Sequence, residues 1–356
     1  MTIGNRATTI GITAAERRVG IAARRSIVLT VLGVLFAAAE AASEGLVGRR
    51  FSALAAFPRA AAGVTSWPMF RGDPGMRGRA GIPIETTPEM EWRFETGKPV
   101  YSTAAISDGR AYIGSDNGKV YAIDLSTGKE IWAYETEDKV EAAPLYLDGA
   151  VYVGSADFHL YRLEAETGKL VWKYATGDQV LGAANYVPRP DGDPPWILVG
   201  SYDGRLHCVN SASGEAEWVY ETDNYVNGAP AVSGDRVIVG GCDAGIHVVS
   251  ATDGSRIAMI DAGAYIAASP ALDGDRGFIG HYGNEVLCFD LAQKEVVWRY
   301  MDRAFPYFSS AAVGRDRILI GGRDKRLHCL DRKTGESVWT FRTQGKVDCS
   351  PVLCGD

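Results

Sequence analysis

The 356-residue chain has no cysteine before position 208, no lysine/arginine run in its body, and no apolar stretch longer than the fourteen residues Ser26–Ala39. Each absence removes a class of function. A leader without a following cysteine offers no lipoprotein acylation site. A membrane-spanning helix needs about 20 apolar residues, so the single apolar run is short for a permanent anchor. The formal net charge is −7, and −10 without the first 42 residues, so neither nucleic acid nor an anionic membrane surface is an expected partner of the body. The chain has no CxxC or other metal-type spacing, no phosphate loop and no G-x-S-x-G nucleophile elbow. No segment sustains the i, i+3, i+4 apolar period of a helix.

Six cysteines sit at 208, 242, 288, 329, 349 and 354. Cys208, Cys288 and Cys329 share one slot of a repeat in which other copies place Ala122, Arg162 and Val248. Equivalent slots on stacked sheets lie about 10 Å apart, beyond the roughly 7 Å over which Cα atoms can be bridged. They read as small apolar strand residues.

What the chain has is that repeat. The phrase Ala122–Trp132, AIDLSTGKEIW, returns at Arg162–Trp172, Cys208–Trp218, Val248–Ala258, Cys288–Trp298 and Cys329–Trp339. With Ala258 standing in for one tryptophan, the series runs 92, 132, 172, 218, 258, 298 and 339, a period of about forty residues. Each repeat holds four short runs separated by turn residues. In the first they are Val100–Ser107, Arg110–Ser115, Lys119–Asp124 and Glu130–Glu135, with turns at Asp108-Gly109, Asn117-Gly118 and Thr127-Gly128. A glycine closes the second run of every repeat, at 114, 154, 200, 240, 280 and 321, which implies a bulge or close approach of a neighbouring backbone. The first run is poor in bulk, as suits the strand nearest the axis of a radial array.

The fold class predicted is all-β, a β-propeller of four-stranded blades. Six complete repeats are visible, plus a lone final strand at Met90–Glu95 and a lone first strand at Lys346–Leu353. The terminal strands either pair across a ring closure or belong to a truncated piece of a seven- or eight-bladed ring; truncation is the preferred expectation. Trp92, Trp132, Trp172, Trp218, Trp298 and Trp339 are expected to dock blade to blade.

Three parts are expected along the chain. Residues 1–42, with Arg17-Arg18 and Arg24-Arg25 before the apolar run and Ala-x-Ala patterns after it, read as a signal peptide, an uncleaved anchor being the alternative. Secretory and twin-arginine export both remain open. Residues 43–66 read as a linker and 67–356 as the repeat domain. The membrane is touched only through the N-terminal segment, if it is uncleaved.

Candidate contacts follow from variability. Tyr101, Glu141, Leu181, Asn227, Ala267, Phe308 and Asp348 share a slot beside the axis that varies in chemistry while its neighbours stay small. From these, Tyr101, Glu141, Asn227, Phe308 and Asp348 are taken as channel contacts. His207, His247 and His328 share a slot spread around the ring and read as half-buried strand residues; His159 and His281 add no ligand spacing, so no metal site is expected. The insertion Pro188–Pro195 reads as a tolerated surface loop, with Trp196 opening a strand after it.

The phrase A-x-D-x-x-T-G-K-x-x-W at Ala122–Trp132 resembles the tryptophan-docking motif of the pyrroloquinoline-quinone (PQQ) repeat propellers, and Trp67–Asp73, WPMFRGD, resembles the lead-in before their first blade. The family includes quinoprotein dehydrogenases and BamB-like propellers of the outer membrane. The dehydrogenases commonly stack the quinone on a disulfide of adjacent cysteines beside Ca²⁺, with an aspartate as base. No Cys-Cys pair exists here, and no carboxylate can be matched to the metal ligands or the base. The resemblance therefore implies the non-enzymatic, BamB-like branch: an exported, periplasmic scaffold for a protein or envelope component, with no cofactor expected. PQQ with Ca²⁺ belongs to the alternative of a quinoprotein or a fragment of one. A third reading is the sensor part of a longer envelope protein.

Overall fold

The computed structural model describes residues 9–11, 66–84, 89–189 and 193–355. The export-signal and linker expectations fall almost wholly outside these residues, apart from Thr9–Gly11, which pair antiparallel with Arg93–Glu95, and Ser66. Among the described residues no helix is long and apolar enough to cross a membrane.

Six four-stranded antiparallel meanders follow one another along the chain. We call them blades 1 to 6, at 105–135, 145–175, 185–221, 231–261, 271–300 and 312–342. In blade 1 the strands are Ala105–Ser107, Arg110–Ser115, Lys119–Asp124 and Glu130–Glu135, in spatial order from inner to outer. The second and third strands are buried almost throughout, because both faces of each sheet meet a neighbour. The outer strand alternates, with Trp132 buried between exposed residues.

The inner strand is shorter than the predicted Val100–Ser107. Its first half is extended but carries no ladder, because its polar groups turn to neighbouring blades instead. Val140 N–H donates to Ser115 O at 3.0 Å, and Ser102 Oγ donates to Ala142 O at 2.8 Å. The same seam explains the fixed glycines. A Cβ on Gly114, Gly154, Gly200, Gly280 or Gly321 would lie 2.5 to 2.8 Å from a carbonyl oxygen of the next inner strand. The close-approach alternative is therefore the one realised.

The repeated phrase straddles a second seam. Nε1 of Trp92, Trp132, Trp172, Trp218 and Trp298 donates to a backbone carbonyl in the turn of the following repeat, at 2.8 to 3.2 Å. Each of these indoles covers the turn glycine there: Gly128, Gly168, Gly214, Gly254 and Gly335. All five glycines have positive φ, and an added Cβ would come within 2.5 to 2.8 Å of the ring. Trp339, like Phe341 and Leu353, instead packs against the cluster of Ala312, Leu319, Leu327 and Cys329. Ala258 has no indole to offer, and the turn it faces holds Lys294 where the others hold glycine. Lys294 keeps the same left-handed geometry (φ 59°) and the same amide bond to the Asp290 carbonyl at 2.8 Å. The tryptophan and the glycine are lost together.

Residues 67–80 form a strap across the hairpin ends of the inner strands. Trp67 exchanges two backbone bonds with Ile106, and the carbonyls of Pro68, Pro74, Gly75, Arg77 and Gly78 accept from Tyr146, Val232, Leu272, Val313 and Leu353 at 2.7 to 2.9 Å. Arg79-Ala80 then pairs in parallel with Leu353-Cys354. Met69 and Met76 are fully buried in the core shared by blades 2 to 5. The Arg71 guanidinium is buried too, and donates to Pro351 O and Ala311 O at 2.6 and 2.7 Å. Burial pulls its pKa down to about 9, so it still carries charge at neutral pH. Gly78 has φ +62°, and a side chain there would run into this guanidinium. The sequence marked this segment only as a lead-in; it is a stopper seated against nearly every inner strand.

Replacing Gly168 by alanine is expected to cost about 2–4 kcal/mol, combining left-handed strain with overpacking under Trp132. Lys294→Gly, at the seam without an indole, should change stability by less than about 1 kcal/mol. Calorimetric unfolding of the two variants tests the pairing; equal losses would refute it.

Candidate functional site

Two sets of loops meet at the end of the ring opposite the strap, here called the mouth: the connections between blades, and the hairpins joining second to third strands. In every blade the first hairpin residue donates its amide to the preceding connection. Asp116, Ala156, Tyr202, Cys242, Tyr282 and Arg323 bond to the carbonyls of Pro99, Lys139, Gln179, Tyr225, Tyr265 and Pro306 at 2.9 to 3.2 Å. This pins a second ring of chemically varied side chains against the slot read from the sequence. The two rings interleave around the axis.

The predicted contacts divide as follows. Phe308 packs on Tyr282 (centroids 4.4 Å apart), with the Arg323 guanidinium 4.0 Å above its ring. Arg323 also forks onto Asp348 at 2.8 and 3.1 Å, and Lys346 adds 3.1 Å. Burial would raise the Asp348 carboxyl, but these two cations outweigh it and hold it below the usual carboxylate range. Glu141 pairs with Lys139 at 2.6 Å, and the burial of Asp116, reinforced by Glu141, lifts the Asp116 carboxyl. Asn227 Nδ2 donates to the Cys242 sulfur at 3.5 Å. Tyr101 stands at the rim, 55% exposed. Trp132, Trp172, Trp218, Trp298 and Trp339 lie in outer strands, away from the mouth.

Sequence reading missed Tyr202, Tyr225, Tyr265, Tyr282 and Phe305. Tyr202 stacks on Tyr225 with centroids 5.0 Å apart. Burial, with Cys242, Glu141 and Tyr282 close by, raises the Tyr202 phenol, so residues from blades 2 to 5 converge on it. Tyr101, Tyr225, Tyr265, Tyr282 and Phe305 are 47% to 59% exposed, a concentration of aromatic surface of the kind that marks interaction sites. A signal for Tyr202 and Tyr282 is present in the sequence, since the residue after Ile-Gly-Ser or Val-Gly-Gly varies as freely as the inner-strand slot; Tyr225, Tyr265 and Phe305 lie in connections and have no such slot.

Beneath the mouth lies a relay. The hydroxyl of Tyr174, Tyr220 or Tyr300 in an outer strand meets Nδ1 of His207, His247 or His328 in the next blade, at 2.9 to 3.1 Å. Nε2 of each histidine meets Asp203, Asp243 or Asp324 in its own hairpin at 2.9 to 3.2 Å. In blades 3 and 4 the same carboxylate accepts the amide of Gly177 or Asp223, so one chain of bonds crosses the seam and fixes the mouth connection. In blades 1 and 2 tyrosine takes the histidine's place, Tyr161 donating to Asp157 at 2.7 Å. Each histidine serves its own seam; the three do not converge.

A family model described as outer membrane protein assembly factor BamB matches residues 85–194, 187–257, 258–341 and 304–356. Among solved structures, BamB from Moraxella catarrhalis superposes with a TM-score of 0.64 at 20% identity, over 77% of this chain and 86% of that one. The computationally designed Ika8 protein gives a TM-score of 0.62 at 16% identity, over 70% of this chain and 76% of that one. These two similarities carry the fold alone. No curated protein matches.

Burial lowers the His207 pKa below its ordinary 6.5. The unfolded chain therefore takes up the proton first, and the stability held above pH 6.5 is lost as pH falls through the folded value. Melting temperature should drop as pH is lowered from 7 toward 5. His207→Tyr, which installs the side chain of blades 1 and 2, should shrink that drop; an unchanged pH profile in the variant would exclude His207 as its source.

Proposed function

The chain belongs to the family described as outer membrane protein assembly factor BamB, and from that premise we propose that it is an exported, envelope-resident scaffold that binds a protein partner of outer-membrane assembly through its mouth. The observation that carries this reading is the asymmetry of the two ends. The strap occupies the hairpin ends of the inner strands, whereas the mouth presents exposed aromatics beside a charged trio of Arg323, Asp348 and Lys346. Aromatic residues and arginine dominate binding energy at protein interfaces, because they bury large area at little entropic cost. Export is supported by the basic, apolar and Ala-x-Ala order of the first 42 residues.

The quinoprotein alternative meets a mismatch of donors. Ca²⁺ takes six to eight oxygen ligands. Of the mouth carboxylates discussed above, Glu141 and Asp348 are already engaged by Lys139 and by Arg323 with Lys346, which leaves Asp116 alone, far short of such a ligand set. The six cysteines are all free thiols, so no disulfide is offered for the quinone to stack on. The residues at the mouth do not fit PQQ with Ca²⁺, and no oxidative step is assigned to them.

Photo-crosslinking in the native host tests the proposal, with the probe at Tyr282 on the mouth or at exposed Lys129 on the hairpin side. The expected result is an outer-membrane assembly protein crosslinked from position 282 and not from 129. Combining Tyr282→Ala with Arg323→Glu should weaken that partner's binding by about 30-fold or more, the equivalent of about 2 kcal/mol for lost hot-spot contacts. Crosslinks from 129 alone, or a chain retained in the cytoplasmic fraction, would overturn it.

A further inference from the structure

Blade 6 departs from its siblings where the relay reaches the mouth. In blades 2, 3 and 4 Oδ2 of the hairpin aspartate, the oxygen that also meets the tyrosine or histidine of the relay, accepts a connection amide: Glu137 N–H to Asp157 at 2.9 Å, Gly177 N–H to Asp203 at 2.8 Å, and Asp223 N–H to Asp243 at 3.3 Å. Those connections are folded by a threonine whose hydroxyl bonds two residues ahead, as Thr136, Thr176 and Thr222 do. The connection into blade 6 has Met301-Asp302 at this place, is one residue longer, and contains Pro306. Among the described residues no connection amide reaches Asp324, whose Oδ1 takes the Arg326 amide at 3.1 Å and His328 Nε2 at 3.2 Å. Its side chain is only 3% exposed, yet its Oδ2 accepts no hydrogen bond; the nearest cation, Arg326 Nε, stands off at 3.8 Å. The carboxylate of Asp302 has moved in instead. Ligand atoms of Asp302, Asp324 and His328 all lie within 4.8 Å of one another.

We propose that Asp302, Asp324 and His328 form a binding site for a first-row divalent cation such as Zn²⁺ or Mn²⁺, at the joint between blades 5 and 6. One imidazole nitrogen and two carboxylates suit such ions better than Ca²⁺ or Mg²⁺, which favour oxygen alone. The relay supplies what a metal-ligating histidine needs, a partner on its other nitrogen. His328 Nδ1 lies 3.1 Å from the Tyr300 hydroxyl. With the ion bound, Nδ1–H donates to that hydroxyl and Nε2 turns its lone pair to the metal. The imidazole stays neutral, and only its tautomer and the Tyr300 rotor change. The Arg326 guanidinium, 3.6 Å from Asp302 and 3.8 Å from Asp324, and Arg303, 3.9 Å from Asp302, are the counter-charges that the cation displaces outward. No sequence spacing announces this trio, because Asp302 is remote in the chain from the hairpin that it meets.

Calorimetric titration of chelator-treated full-length protein with ZnCl₂ and MnCl₂ tests the site. One saturable equivalent is expected, with binding weakened about tenfold or more in Asp302→Asn. Asp302 is exposed, so that variant should keep its fold and melting temperature. Asp223→Asn, on the sibling connection of blade 4, should bind as the parent does. Co²⁺ should give visible d–d bands without thiolate charge transfer, which separates the site from the six cysteines. Absence of saturable binding, equal affinity in Asp302→Asn, or a thiolate band would each overturn the proposal.

Discussion

An indole lying flat on a glycine holds this ring together. A propeller blade cannot bury its faces alone, so stability resides in the seams, and each seam must position two sheets without a covalent link. The tryptophan does this twice over, covering the glycine turn with its ring and donating Nε1–H to a carbonyl of that turn. A buried aromatic of this size removes about 150–250 Å² from water. The paired loss at Ala258 and Lys294 shows that the unit of selection is the contact and not the tryptophan. Where one half is gone, the other is free to carry a side chain.

The two ends of the ring are unlike for reasons that begin in the backbone. At the hairpin end, inner-strand amides are left without sheet partners, and the strap satisfies them one blade after another. At the mouth, the same strands start before their ladders do and spend their hydrogen bonds on neighbouring blades. That leaves side chains in two adjacent slots outside the packing problem. Chemistry can vary there without penalty to the fold, which is why aromatic, acidic, basic and amide groups are crowded together at that end.

Much of the fold was legible because its signals are local and repeated. Hairpin residues, the glycine closing each second strand and the tryptophan phrase lie within one forty-residue window, and six copies average out exceptions. The strap was legible only as a motif, since its partners lie up to 280 residues away and nothing in Trp67–Asp73 names them. The mouth was half legible. The slot holding Glu141 and Phe308 was recognised by variability among small neighbours, while the slot holding Tyr202 and Tyr282 sits in turns where variability is ordinary. Pattern placed the histidines in strands, but as half-buried residues; His207, His247 and His328 are fully buried, because their bonds to Tyr174, Tyr220 and Tyr300 cross blade seams and have no spacing to read.

The strap also sets an order of events in folding. Residues 67–80 precede all six described blades in the chain, yet their partners run from Ile106 to Gly355, so the segment is made before the groups that it bonds. Each blade can form from local hairpins at low cost in loop-closure entropy, but seating the strap requires nearly every blade to be present. Met69 and Met76 have no complete site until blades 2 to 5 are present, and the Arg71 guanidinium waits for Ala311 and Pro351. Burial of those three side chains therefore reports that separate blades have come together, which no single hairpin can bring about.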